Sequence, residues 1–189
     1  MIKIGILGDI GSGKSYVARN FGYPVFNADD EVANLYKQNK IIFNALKAKL
    51  PKYIHSFPIK KIEISNAILA NTKNLNKIVK IVHAEIRKKL DIFLKKNKNK
   101  KIVILDIPLL LENKINKKDD LLVYVQSDRS DILKRLKKRK NFNYKILKKF
   151  KKLQLPITRK KQKSHFIIKN EFTKKSVNNA IKSILREIG

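Results

Sequence analysis

The sequence predicts an α/β protein with a parallel sheet covered by helices on both faces, three layers in all. Three observations carry that expectation. Short apolar runs alternate with amphipathic helical segments, no hairpin turn joins any two of the runs, and the first run leads through a glycine-rich turn straight into a helix.

Taken in order, "IKIGIL" (2–7) is a buried-strand run that ends in glycine, and "KSYVARNFG" (14–22) reads as a helix closed by Gly22. "YPVFN" (23–27) is a second short strand, and "ADDEVANLYKQ" after it opens a helix with three acids in its first turn. The pattern stays helical to about residue 94, broken at Pro51 and Pro58. Its strongest stretch is 76–94, where Ile78, Val82, Ile86, Leu90 and Leu94 recur every fourth residue. "KIVILDIPLLLE" (101–112) is a third strand with a proline at its exit, and "LLVYVQS" (121–127) a fourth. A helix from about Asp128 carries Arg135 and Arg139 and continues, rich in lysine, to about Leu153. "LPITRKKQK" then breaks the pattern, "HFIIKN" (165–170) is the last strand, and "KKSVNNAIKSILREI" the last helix.

Composition narrows the function. A chain of 189 residues fits one domain with a proper core. With no cysteine, neither a disulfide framework nor a thiolate metal site or nucleophile is available. No stretch approaches the roughly 20 apolar residues of a membrane span, and the N-terminal apolar run lacks a signal-peptide cleavage pattern. The expectation is a soluble, cytoplasmic protein without membrane contacts. Forty-five Lys+Arg against fifteen Asp+Glu give a net charge of +30, which raises the question of a nucleic-acid partner. The excess is mostly lysine spread over Lys37 to Lys182, runs such as "KKNKNKK" (95–101) fall between periodic segments, and aromatic residues do not interleave with the basic ones as base stacking requires. No specific nucleic acid is therefore expected. The charge favours the approach of phosphorylated small molecules and nonspecific contact with polyanions.

"GDIGSGKS" (8–15) matches G-x-x-x-x-G-K-[ST] between a strand and a helix. In such a P-loop, backbone N–H groups converge on phosphate oxygens, and glycines at Gly8, Gly11 and Gly13 keep side chains out of the approach. Lys14 suits the β- and γ-phosphates and the Ser15 hydroxyl suits Mg²⁺, so the implied ligand is a nucleoside triphosphate with Mg²⁺. Asp9 is the odd residue, a negative charge in a loop built to attract one.

Two carboxylates fall at strand ends, which converge on one crevice in a parallel sheet. Asp106 closes "IVILD" and suits Mg²⁺, directly or through water, or else it is a strand-end polar residue. Asp29 is placed to take a proton from an acceptor hydroxyl. Asp29, Asp30 and Glu31 are equally well explained by the positive end of a helix dipole, and spacing alone leaves the two readings open. Arg135 and Arg139 are four apart on one helix, where paired guanidinium forks can clamp phosphate; the alternative is a solvated basic face. A phosphotransferase also needs a cover against water, and the basic stretch from Arg135 to about Lys160 is the candidate lid. His55 and His165 read as loop or strand-edge residues, and His83 as a partly buried helical one.

Assembled in order, these pieces resemble the dephospho-coenzyme A kinase family over nearly the whole chain, from Ile4 to about Ile181. "GILGDIGSGKSYVA" is similar to the family's G-L-T-G-G-I-G-S-G-K-S-x-V-A, and "VFNADDEVA" (25–33) to V-I-D-A-D-x-x-A. "IVHAEIRKKL" (81–90) is similar to the H-P-x-I-x segment, and "DIPLLLE" (106–112) to D-V-P-L-L-F-E. "SDILKRLKKR" (130–139) resembles the double-arginine helix, and "LQLPITRKKQKSHFIIKN" (153–170) resembles Q-x(5)-K-x(3)-A-D-x-V-I-x-N. The resemblance implies a nucleoside-monophosphate-kinase-like P-loop core (about 1–28, 100–134 and 162–189), a helical acceptor-binding region (about 29–95) and a lid (about 135–161). It implies ATP as donor, dephospho-coenzyme A as acceptor and Mg²⁺ as the metal, in a chain expected to be a monomer.

Carried over by position, Asp29 is the acid that activates the ribose 3′-hydroxyl, which resolves the open reading toward a base. Lys14 and Arg139 join it in catalysis. Gly11, Ser12, Gly13, Lys14, Ser15, Tyr16, Arg135, Arg139 and Asn170 fall on ATP-binding positions. Asp29, Lys61, His83 and Leu109 fall on the acceptor side, Ser15 and Asp106 on the metal, and Gln154 and Lys160 on lid positions. The departures are Asp9 for a second glycine, Asn27 for the first acid of D-A-D, Ala84 for the proline after the histidine, Ile132 for a glutamine, "SH" (164–165) for Ala-Asp, and Lys61 for an arginine. Without the resemblance, the residues leave open a kinase for another nucleoside, nucleotide or small alcohol, or a nucleic-acid-binding P-loop ATPase.

Overall fold

The computed structural model describes residues 1–139 and 142–189. Two positions of the expected lid, 140 and 141, lie outside the described residues. The chain forms two compact units. One comprises Met1–Asn27, Asn97–Asn143 and Lys151–Gly189, and the other Ala28–Lys96 and Tyr144–Phe150.

The first unit is built on a five-stranded sheet: β1 (Ile2–Gly8), β2 (Val25–Asn27), β3 (Ile102–Asp106), β4 (Leu121–Gln126) and β5 (Phe166–Lys169). The spatial order is β2-β3-β1-β4-β5, and every pairing is parallel. Near-continuous apolar runs become parallel strands because both faces are covered. All five residues of β3 are buried, and so are four of the six in β4. The core joins Ile4, Ile6, Ile104, Val123, Val125 and Ile168 of the sheet to Val17 of helix α1 (Lys14–Asn20). Val177 and Ile181 of the C-terminal helix close the same cluster. β1 is central, with its later partners β3 and β4 on opposite sides. That reversal of strand order leaves a crevice at the carboxyl end of β1, where the glycine-rich loop begins.

The second unit is helical: α2 (Ala28–Gln38), α3 (Lys40–Lys49), α4 (Lys61–Ala70), α5 (Thr72–Lys96) and all but the last residue of the helix Tyr144–Lys151. α5 spans the predicted four-residue periodicity and buries Ile78, Val82, Ile86 and Leu90 along one stripe. The segment between α3 and α4 holds Pro51 and Pro58, as expected of helix breakers, and the Phe57–Pro58 peptide bond is cis.

Three stretches differ from the sequence reading. The lysine-rich helix expected to reach about Leu153 stops early. α6 ends at Lys137 (Arg129–Lys137), and α7 begins at Tyr144 (Tyr144–Lys151). Lys134, Arg135, Lys137, Lys138 and Arg139 crowd like charges onto adjacent turns, which works against extending α6. Conversely, the segment read as a break contains a short helix, α8 (Ile157–Gln162), with Pro156 at its N-cap. Proline breaks a helix interior but is tolerated at a helix start. The third strand ends at Asp106, and 107–116 is a run of turns in which Leu109 and Lys114 take positive φ. The last helix, α9 (Lys174–Glu187), starts at Thr173, whose hydroxyl accepts from the Ser176 N–H at 3.3 Å. Among the described residues, no helix is long and apolar enough to cross a membrane.

Candidate active site

The loop between β1 and α1 is held in one shape from several sides. Gly11 and Gly13 have φ of 88° and 90°, a region that side chains oppose. Space opposes them too. A Cβ on Gly13 would sit 2.3 Å from Asn170 Nδ2, and one on Gly11 3.0 Å from Leu136 on α6. The Ser12 carbonyl accepts from Ser127 Oγ at 2.9 Å and Asn170 Nδ2 at 2.8 Å. Asn170 is buried, and its own N–H donates to Gln126 O at 2.7 Å, so it pins the loop to the end of β4. Lys14 folds over the loop. Its ammonium donates to Asp9 O at 2.9 Å and Gly8 O at 3.4 Å. Helix α1 has no side-chain cap at its N-terminus, so its first-turn amides lack the usual internal acceptor. The result is a preorganised anion cradle of backbone donors and one ammonium. Ser12 is fully buried within it, and its hydroxyl finds no hydrogen-bond partner among the described residues. Ser15 is half-buried on α1 and Tyr16 exposed.

Beside the cradle, Asp106 ends β3 as a buried carboxylate. Asn27 lies opposite it in register on β2 and donates Nδ2–H to Asp106 Oδ2 at 3.2 Å. An acid at position 27 would face Asp106 as a like charge across the strands; the amide turns that repulsion into a hydrogen bond. Among the described residues no group of three or more His, Asp or Glu is clustered as for a metal cage. Mg²⁺ needs no such cage, since it usually takes one or two protein ligands and fills its octahedron with phosphate oxygens and water.

The two arginines expected to act together part company. Arg135 is on α6, and its guanidinium lies 4.2 Å over the Phe172 ring. Arg139 lies beyond the helix, in a turn where its N–H donates to Leu136 O at 3.1 Å, so the expected common helical face does not form. Lys160 is turned inward: it is buried and pairs with Glu112 at 2.9 Å, while the Leu155 N–H donates to the same Glu112 oxygen at 2.8 Å. His165 is structural, its Nδ1 accepting from Leu122 N–H at 3.0 Å. Leu109, at φ 58°, opens the turn that follows Pro108.

Gln154 follows α7 in the sheet unit, its N–H donating to Lys151 O at 3.1 Å, and the acceptor-side residues Asp29, Lys61 and His83 belong to the helical unit. Asp29 and Asp30 are exposed in the first turn of α2, and Lys61 begins α4. His83 is half-buried on α5, and burial, then the Arg87 charge, pull its pKa down from the ordinary value. The structure thus gathers the loop, Asp106, Arg135 and Asn170 in the sheet unit, and Asp29, Lys61 and His83 in the helical unit.

Sequence reasoning missed Ser127, Phe172, Glu112 and Lys151. Ser127 follows a strand and Glu112 closes a motif, which are usable signals. The contacts of Phe172 and Lys151 depend on the tertiary fold and leave no pattern in the sequence.

Comparison with known proteins bears on the family and the fold. The family model for dephospho-CoA kinase matches residues 2–176. A dephospho-CoA kinase of Wolbachia sp. subsp. Brugia malayi is 33% identical over 187 residues, covering 96% of this chain and 95% of its own. Among solved structures, TT1252 from Thermus thermophilus superposes with a TM-score of 0.75 at 24% identity, covering 100% of this chain and 98% of its own. Dephospho-CoA kinase from Campylobacter jejuni superposes with a TM-score of 0.64 at 20% identity, covering 99% and 97%. At those identities the two structures speak for the fold, and the sequence match carries the assignment: the chain belongs to the dephospho-CoA kinase family.

Proposed function

We propose that the chain transfers the γ-phosphoryl group of ATP to the ribose 3′-hydroxyl of dephospho-coenzyme A, giving coenzyme A and ADP, the final step of coenzyme A biosynthesis. The observation that carries the donor half is the preformed loop, with Lys14 already drawn across Gly8 O and Asp9 O. Family membership supplies the acceptor.

In this reading the loop amides and Lys14 hold the β- and γ-phosphates in place, so little reorganisation is needed as charge develops. Ser15 and Asp106 would hold Mg²⁺, which would supply charge neutralisation at the phosphates. Asp29 accepts the 3′-hydroxyl proton as the O3′–P bond forms and the bond to the ADP oxygen breaks. Lys61, His83 and Leu109 contribute to the acceptor side. Arg135 and Arg139 meet the phosphates from a lid at about 135–161.

The test is ADP release measured with purified chain, MgATP and a panel of acceptors. Turnover that requires dephospho-coenzyme A is expected. Turnover with adenosine, shikimate or another alcohol in its place would move the assignment to a different small-molecule kinase. Stimulation by RNA or DNA alone would make the chain a nucleic-acid-dependent ATPase.

A further inference from the structure

Asp9 is a carboxylate inside a phosphate-binding loop, and at such range an uncompensated negative charge opposes the ligand. Its surroundings supply the compensation. One carboxylate oxygen accepts from the Ile10 N–H at 2.7 Å, and the other lies 3.5 Å from Lys151 Nζ. The Asp9 carbonyl accepts from Lys14 at 2.9 Å, so this residue touches the phosphate-binding ammonium through its backbone and Lys151 through its side chain. Asp9 and Lys151 line a cleft of about 300 Å³ together with Ser12, Tyr124, Ser127 and Arg129. The Asp9 side chain is 16% exposed and that of Lys151 40%, so solvent screens the pair mainly through the lysine. The charge is felt inside the cleft: the Tyr124 phenol is pushed up first by burial and then by Asp9.

We propose that Lys151 is a positioning residue for the nucleotide, acting through Asp9. It neutralises and holds the one carboxylate of the loop, so that the cradle offers ATP its amides and Lys14 without an opposing charge. Asp9 and Lys151 are then a compensating pair, and losing one partner is corrected by losing the other. The inference rests on the reading of ATP as donor and does not depend on the acceptor.

The experiment is calorimetric titration of the full chain with the non-hydrolysable analogue AMP-PNP and Mg²⁺ at low salt, with a melting curve for each variant. Lys151→Met is expected to weaken binding about 3- to 10-fold, and Lys151→Arg to retain it. Asp9→Gly introduced into Lys151→Met should bring the Kd back to within about twofold of the parent, and Asp9→Gly alone should tighten binding about two- to threefold. The proposal is overturned if Lys151→Met lowers only the melting temperature, or if Asp9→Gly fails to recover the lost affinity. Should Lys151→Met not fold, Asp9→Asn in the parent chain tests the same charge: tighter binding supports the pair, and unchanged or weaker binding overturns it. Because no acceptor is present, a parent chain that binds AMP-PNP yet phosphorylates no dephospho-coenzyme A would count against the proposed function alone.

Discussion

Asp29 and Asp30 are adjacent, both exposed, and both in the first turn of α2. A helix dipole stabilises either of them, whereas only one can be the base for a given hydroxyl, which makes the two a matched probe. Asp29→Asn is expected to lower kcat roughly 10²- to 10⁴-fold, and Asp30→Asn to change it less than about threefold. Steady-state kinetics on the two variants, with melting curves as control, decides the point; equal effects would return Asp29 to the role of helix-end acid. At this scale the sequence was legible wherever chemistry is written in residue type and spacing. Lys14, Ser15 and the glycines of the loop all fall where the motif put them. Asn27 and Asp9 were legible only as departures, because their partners Asp106 and Lys151 lie 79 and 142 positions away in the chain. Nothing in a linear pattern pairs such positions; the register of β2 on β3 and the fold around the loop do.

Among the elements, the connection from α3 to α4 is the most informative, because it leads into Lys60 and Lys61. It is anchored by buried Ile54 and Ile59 and clamped by Glu63 on the first turn of α4. One Glu63 oxygen accepts from the Ser56 N–H at 3.0 Å, the Ser56 hydroxyl at 3.1 Å and the His55 N–H at 3.3 Å. Burial pushes the Glu63 carboxyl up, but these hydrogen bonds outweigh it and hold the group below its ordinary value of 4.5. The sign follows from the proton balance: the unfolded chain binds the proton first, so the stabilisation is whole above about pH 4.5 and is lost as pH falls through the lower folded value. Glu63→Gln is expected to cost about 1 kcal/mol at pH 7 and to lose less than the parent on acidification to about pH 3.5. Hydrogen exchange at the Ser56 amide reads this locally; identical pH profiles for parent and variant would show the contact to be inert. The clamp was invisible in the sequence, where Glu63 is one acid on a weakly patterned helix. The strands and α5 were visible because their periodicity is strong. The ends of α6 and the presence of α8 were missed because a run of lysines carries no apolar period, and Pro156 at a helix start looks the same in sequence as a breaker.

For the molecule as a whole, charge outweighs every other feature. Fifteen acids cannot pair forty-five basic side chains, and some acids are engaged already: Asp120 with Lys3, Glu112 with Lys160 and Asp9 with Lys151. The surplus repels itself in the folded state and attracts phosphorylated ligands from solution, and both effects are screened once the Debye length falls below the spacing of surface charges. Adding KCl from about 0.05 to about 0.5 M is therefore expected to move stability and substrate capture in opposite directions. The melting temperature should rise by roughly 2–8 °C as self-repulsion is screened. Over the same range the KM for ATP should rise several-fold with kcat much less affected, since the loop geometry does not depend on the distant lysines. A melting series and a kinetic series in the same buffers test this together. A flat melting temperature with a rising KM would mean that the lysines are spaced too widely to repel one another and act only in capture. A rising melting temperature with a constant KM would confine their effect to stability and leave phosphate recognition to the loop, Lys14 and the arginines.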